Sequence, residues 1–563
     1  MAIYYIDYDN GNNTNSGLTQ LLPKKTLPTL VSGDVACFKG GVKYKETITM
    51  PADNIRLVGS LFNTSKAILD GSDVLAGWTQ VEGSDHLWEK SFTFSGTPTE
   101  INLTEKDYKM YVAQLPVPTV KFFYDSIDYF YSIPKEDITT TSIVDADVFN
   151  QEDEHYWDDS YVLVWRQPNK VDLREILTYI PAEHKITFAA LGNNPYPDRD
   201  NKYAIHNSPN ALLEPGQYIY DYVNQKIIMY PSRTVATTEY TVGSSRKFGI
   251  NLTGRSGTTI EGFVIQKFAG AESLDGAAIK KTGKTAISNI TIRNCDIKKN
   301  TNGVEGYGAI HVAYASNVTI QGCYLYQNSR MKGIFCTDGN NVVVKSNKIE
   351  MSGRTGITFY ACTNSQIINN RVINHNGTHA NGMNTYQYCD NVLVANNYVI
   401  NSNTSFTFNN ANRIIIFQNT FDGSDEQWCC VSWGDAHNCK ILQNNFINGE
   451  SNTGIYYSTT CSAFEIKNNI CCGSGCMPRV NKTTGIKIAD NDYNLFVSFT
   501  YDQTVGGLAE HEIYNPSQFA GIDRGLNLLP ILQATGFDFT WDKDCNCKKR
   551  GLTAWDIGIQ EFN

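Results

Sequence analysis

Between Thr258 and Cys472 one arrangement of apolar and polar positions recurs. An apolar–x–apolar triplet leads to an Asn or Cys, and another apolar residue follows. In Ile290-Thr291-Ile292-Arg293-Asn294-Cys295-Asp296-Ile297 the slot is Cys295. It then falls on Cys323, Asn347, Asn370, Asn397, Asn419, Asn445 and Asn469, with Phe263 as a less regular first member. The spacings from Cys295 are 28, 24, 23, 27, 22, 26 and 24 residues. A period of about 25 signals a solenoid. Short β-branched runs with period-2 alternation and Asn/Gly punctuation select strands over helices. The expected fold class is all-β: a right-handed parallel β-helix.

Each coil divides into three strands. Asn317-Val318-Thr319-Ile320-Gln321-Gly322 turns Val318 and Ile320 inward, Cys323 makes a tight turn, and Tyr324-Leu325 opens a second strand. A loop of variable length leads to a third, Gly-led strand, Gly333-Ile334-Phe335-Cys336. Coils stacked about 4.8 Å apart bond to one another through every strand. Asn at the inward turn predicts an Asn ladder whose amides bond one another and the turn backbone. The variable loops, 298–307, 326–332, 350–355 and 374–381, are where function is expected on a rigid scaffold.

Four regions follow from this pattern: 1–72 as the start of the rod, 73–248 as an inserted β-rich domain, 249–475 as the repeat array, and 476–563 as C-terminal coils and cap. The first region carries Tyr4-Tyr5-Ile6-Asp7, Gly33-Asp34-Val35-Ala36-Cys37-Phe38-Lys39-Gly40-Gly41 and Ile68-Leu69-Asp70-Gly71. The second breaks the repeat with Trp78, Trp88, Trp157, Trp165 and several prolines, and Pro215-Gly216 reads as a hairpin turn between two strands. The chain closes on Trp555-Asp556-Ile557-Gly558-Ile559-Gln560-Glu561. These opening, insertion and closing motifs resemble bacterial β-helix proteins that act on polysaccharides: the pectate-lyase-like superfamily, β-helix glycoside hydrolases with an inserted β domain, and phage tailspike-like depolymerases. The resemblance implies glycan cleavage. It delivers no catalytic residue by position, because no Arg-His-Gly or Asp-His lyase signature is present.

Composition narrows the function classes. A net charge of −10 opposes nucleic-acid binding, and no apolar run reaches membrane-span length. Residues 289–400 are nevertheless locally basic, with nine Lys/Arg against five Asp/Glu. The N-terminus has no secretory signal pattern, which suits a cytosolically made protein, a virion component released by lysis or an exported protein already trimmed, and leaves localisation unknown. The 15 cysteines are odd in number and several sit in stacked inward slots, so most are expected as free core thiols. Their spacing is too thin for zinc. No metal site and no cofactor are implied, with a structural or catalytic Ca2+ left open. The expected partner is a polysaccharide or oligosaccharide; a homotrimer or virion assembly is also open.

Counting back from each Gly-led strand aligns Glu305, Arg330 and His379 in one column, with Lys332 and Arg354 beside it. Alternation puts His311, Phe335, Thr358, Asn384 and Thr407 in one outward row, and Tyr360, Tyr386 and Asn409 in the next. Hydrolysis requires two carboxyls about 5 to 9.5 Å apart. Asp275 and Glu305, in consecutive coils, are the expected pair; Asp425 or Glu426 near Trp428, with Glu450, is the alternative. Elimination requires a base, cations for an enolate and a proton donor, roles open to Lys332, Arg330, Arg354, His379 and Tyr386. The catalytic candidates are therefore Asp275, Glu305, Lys332, Arg354 and His379. The substrate-binding candidates are His311, Arg330, Phe335, Tyr360, Asn384, Tyr386 and Trp428. A rigid glycan-binding or virion structural part is the non-enzymatic reading.

Overall fold

The computed structural model describes residues 1–94, 101–120, 126–167, 170–270, 275–281, 283–302, 307–377, 380–423, 428–448, 455–458, 460–472 and 478–480, with short pieces at 490–492, 494–497, 513–514, 525–526, 537 and 554–555. Glu305, His379, Asp425, Glu426 and Glu450 lie outside the described residues.

The chain forms a right-handed parallel β-helix with three long sheets. The first has 14 strands and runs from Ile3–Ile6 to Asp490–Asp492; the second has 13, from Lys43–Tyr44 to Ile513–Tyr514; the third has 11, from Ile48–Thr49 to Pro478–Val480. Period-2 alternation sends one apolar side chain per coil into the same column. Ile292, Ile320, Val344, Ile367, Val394, Ile416, Ile441 and Ile466 stack in strict parallel register. All eight are fully buried in a core that runs from Ile6 to Ile466. Each such burial contributes roughly 1.5–3 kcal/mol, so the rod is held by repetition of one modest contact. Ten of the described cysteines are buried free thiols, most of them in this core.

The turn between the first and second sheets carries a file of buried asparagines. The Asn347 amide donates to Asn370 at 3.0 Å, Asn370 to Asn397 at 3.0 Å, Asn397 to Asn419 at 2.9 Å and Asn419 to Asn444 at 3.0 Å. The file continues through Asn469 to Asn494. The residue before each member is left-handed: φ is 55° at Ser346, 57° at Asn369, 54° at Asn396 and Gln418, and 59° at Gln443. That backbone requirement corrects the expected slot: Asn444, behind left-handed Gln443, occupies the file, while Asn445 starts the next strand.

Among the described residues the rod is interrupted once. Arg56–Val58 pairs directly with Thr259–Glu261, and Ala67–Asp70 with Phe263–Gln266, so coils on either side of the interruption stack as neighbours. The inserted unit opens at Ser72–Val74 and closes at Tyr240–Gly243, two strands that pair antiparallel. It contains antiparallel sheets around cores of its own, one built on Phe149, Trp157, Val162 and Tyr203, another on Leu103, Tyr218 and Met229. Pro215-Gly216 is not the hairpin turn. Gly216 leads into Gln217–Asp221, and the hairpin to Lys226–Tyr230 turns at 222–225, where Gln225 is left-handed. The unit seats on the rod through the loops that leave the second sheet: Asn102 donates to the Lys299 carbonyl, Lys299 to the Asp107 carbonyl, and Lys109 to Thr301 and Ser329. These are loops that also border the third sheet.

Candidate functional site

The third sheet places the expected rows in register. His311, Phe335, Thr358, Asn384 and Thr407 are successive partners on five adjacent strands, as are Tyr360, Tyr386 and Asn409 on three. The first row points out of the core, as alternation requires. It is not an open track, however. His311 is 5% exposed, Thr358 1%, Asn384 2% and Thr407 1%. Side chains from the same face and from the preceding loops close over it. The His311 ring lies between Tyr307 and Phe335, with centroids 5.5 and 5.0 Å away, and the Lys332 ammonium stands 4.1 Å above Phe335. Asn381 donates to both Tyr386 and Thr407 at 3.1 Å, and Tyr386 and Thr407 share a 2.6 Å hydroxyl contact. Sequence alternation distinguishes inward from outward but not covered from open.

Three polar atoms of this row have no hydrogen-bond partner among the described residues: His311 Nδ1, Thr358 Oγ1 and Asn384 Oδ1. They lie on the strands Gly308–Ala313, Ile357–Tyr360 and Met383–Tyr386. A buried polar atom left unbonded costs about 1–3 kcal/mol. Three such atoms stand on this one row.

The row is bordered by cations. Arg354 is buried, while Arg330 and Lys332 are half-buried on the neighbouring loop. Burial, with Lys332 and Lys281 nearby, pushes the His311 imidazole down to about 3. It is therefore neutral near pH 7 and can donate or accept a hydrogen bond but carries no charge. The inserted unit contributes buried His206, pushed down to about 3 by burial and by Arg330. That places an edge of the insertion beside the same basic loop. At the other end the row continues in register to Lys280, whose ammonium is held below its usual range by burial, with Asp275 opposing the shift. Asp275 is buried and paired with Lys247 at 3.3 Å. It stands before Ile279–Lys281, one coil before Gly308–Ala313.

The structure thus brings Asp275, His311, Arg330, Lys332, Phe335, Arg354, Asn384 and Tyr386 to one face. Tyr360 is on that face but at its uncovered lip, 40% exposed. Trp428, expected near Asp425 and Glu426, opens the strand Trp428–Ser432 of the same sheet. Its ring stacks on Tyr456 with centroids 5.4 Å apart and meets Trp433 at 4.2 Å. Lys247, Lys280, His206, Trp433 and Tyr456 were not among the expected residues. Register could have found Lys280 and Tyr456, since both continue the outward row; His206 comes from a distant segment without a repeat. No group of three or more His, Cys, Asp or Glu side chains suited to a metal ion occurs among the described residues.

The fold is a right-handed parallel β-helix with an inserted β unit beside a covered polar row. Residues 225–408 match the family model described as a right handed beta helix region, a match that begins in the inserted unit's last hairpin. A solved structure described as a glycoside hydrolase is similar at TM-score 0.57 and 13% identity, covering 90% of this chain and 98% of its own. A complex of XylC with xylose is similar at TM-score 0.41 and 11% identity, covering 88% of this chain and 75% of its own. A lacto-N-biosidase of family GH136 from Eubacterium ramulus is similar at TM-score 0.41 and 12% identity, covering 91% and 68%. No curated protein matches. The first of these likenesses, at 13% identity, shows the fold alone.

Proposed function

We propose that this chain cleaves glycosidic bonds of a polysaccharide laid along the third sheet. The observation that carries this reading is the row of unbonded polar atoms at His311, Thr358 and Asn384, closed by side chains and edged by Arg330, Lys332 and Arg354. Sugar hydroxyls supply the missing hydrogen bonds once the covering side chains, Tyr307 over His311 and Asn381 over Thr407, turn aside, and half-buried Phe335 supplies an apolar contact. Hydrolysis is the first reading. Asp275 is a buried carboxyl at one end of the row, Glu305 in the following coil is the partner assigned from sequence, and the glycoside hydrolase similar over 98% of its own length supports the choice. The basic wall favours elimination as the second reading, because guanidinium and ammonium groups neutralise a uronate and its enolate. Either chemistry suits a glycan with carboxylate groups.

One panel of acidic and neutral polysaccharides decides between them. New reducing ends without absorbance from an unsaturated uronate mean hydrolysis. Matching growth of both signals means elimination. Absence of turnover across the panel sinks the enzymatic reading and leaves a binder. Within the hydrolase reading, Asp275→Asn and Glu305→Gln should each abolish turnover; activity that survives both changes removes this pair.

A further inference from the structure

Past the covered row, the lip of the third sheet farthest from the basic loops changes character. Three of its aromatic side chains face solvent: Tyr360 is 40% exposed, Tyr388 75% and Trp433 47%. They share one edge. Tyr360 ends the strand Ile357–Tyr360, Tyr388 follows Met383–Tyr386, and Trp433 follows Trp428–Ser432. From the first to the last is three strand steps, or about 14 Å along the rod. The Trp433 backbone N–H donates to Asn409 at 2.6 Å, which fixes it in the column of Tyr360, Tyr386 and Asn409. Its ring lies 4.2 Å from Trp428 and 5.1 Å from Tyr456, so the platform is wider than one ring.

Tyr388 adds an independent observation. Gln387 and Tyr388 are both left-handed, with φ of 46° and 69°. For a bulky aromatic residue this is a costly backbone state. Here it holds a phenol ring out in water, where the ring gains no core contact. Beside Tyr388 is a depression lined by Asp390, Asn410, Asn412, Asp435 and His437, which are chiefly acceptors and amides suited to sugar hydroxyls. Arg413, a cation at this lining, is paired with Asp390. The lip is therefore apolar and slightly acidic, whereas the covered row is basic.

We infer that Tyr360, Tyr388 and Trp433 form an aromatic rail that binds uncharged sugar units of the same glycan chain, so that the substrate is a heteropolysaccharide with neutral and acidic residues. This rests on the proposed use of the third sheet. An exposed ring takes the C–H face of a pyranose, whereas a uronate at this lip would meet the carboxylate of Asp435. A homopolymer of uronate offers the rail nothing that the basic row does not already recognise.

Affinity electrophoresis tests the inference without requiring turnover. Wild-type protein, Tyr388→Ala, Trp433→Ala and Trp433→Phe are run through gels containing an acidic heteropolysaccharide, xanthan or gellan, and through gels containing polygalacturonate or alginate. The expected result is retardation by a heteropolysaccharide that weakens about tenfold in each Ala variant and is largely kept in Trp433→Phe. Unchanged circular dichroism and melting temperature assign the loss to the ring. Equal retardation of all four proteins overturns the rail. So does wild-type binding confined to polygalacturonate or alginate, although that outcome leaves the proposed cleavage standing. Rail-dependent binding with no turnover sustains the inference and removes the enzymatic reading. If none of the four glycans retards the wild type, the rail is not a surface for acidic glycans and the inference falls.

Discussion

Two polar columns run along this rod, and both are buried and periodic. The file from Asn347 to Asn494 lies inside the turn between the first and second sheets. The row from His311 to Thr407 lies on the outer face of the third. They differ in how their hydrogen bonds are met. Each inner amide is bonded on both sides: Asn397 donates to Asn419 and to the Ile367 carbonyl, and accepts from the amide and the backbone of Asn370. The outer row leaves atoms unbonded at three of its five positions. The inner column closes on itself, as a structural column must, whereas the outer one leaves demands unmet among the described residues, which is what the proposed ligand would use.

The largest expected effect tests the closed column. Asn397→Ala removes four hydrogen bonds and strands the Asn370 amide and the Ile367 carbonyl in the interior. At about 1–3 kcal/mol for each stranded group, the loss should be about 3–5 kcal/mol in denaturant unfolding. A loss below about 1 kcal/mol would show that water or a shifted neighbour replaces the side chain, and that the file is not what holds the turn.

The open column should show its largest effect in activity. Arg354→Ala is expected to lower kcat/KM at least about 100-fold, equivalent to about 2.7 kcal/mol, on the glycan the wild type cleaves. Stability should fall by less than for Asn397→Ala. Turnover within a few-fold of wild type would mean that the basic border does not face the substrate.

The two columns were unequally legible in the sequence. The inner file follows from the repeat alone, since a single slot per coil must face inward, and its one error was local. Gln443-Asn444-Asn445 offers two asparagines, and only the left-handed residue before the turn decides between them. Gln418-Asn419 shows the same dipeptide in the preceding coil, so that signal was available. The outer row followed from alternation, and its partners agree with the register. Its burial did not follow, because coverage depends on where Asn381, Tyr307 and Lys332 turn after leaving their loops, and loop direction has no period. His206 was least accessible of all, since it reaches the basic loop from a segment more than 100 residues away in sequence.

A smaller effect separates the columns by pH. The inner file contains no titrating group, whereas the outer row holds His311, neutral against Lys332, Lys281 and the rings of Tyr307 and Phe335. Its folded-state value, about 3, lies below that of an unfolded imidazole near 6.5. The unfolded chain therefore binds the proton first, and the stability from keeping His311 neutral is fully present above about pH 6.5 and declines as pH falls towards 3. Between about pH 6 and 5 one such group contributes a slope approaching 1.4 kcal/mol per pH unit. His206 and His375, pushed down to about 3 and about 4, add slopes of the same sign. His311→Gln should lower the wild-type slope by about one proton's worth. An unchanged slope would mean that His311 takes up its proton as readily in the folded protein as in the unfolded chain.

The finest test exchanges one atom. Thr358→Val keeps the β-branched shape in the strand Ile357–Tyr360 and removes a hydroxyl that is 1% exposed in its residue and unbonded among the described residues. In a closed column such a change costs a hydrogen bond and strands its partner. Here it removes only an unmet demand, so stability should stay level or rise by about 1 kcal/mol. Glycan affinity should fall by a similar amount, about five- to tenfold, because the atom that the ligand would satisfy is gone. Opposite signs in the two measurements identify a surface arranged for a ligand. If unfolding shows a loss instead, Thr358 is already bonded within the chain, and the outer row is a second structural column like the first.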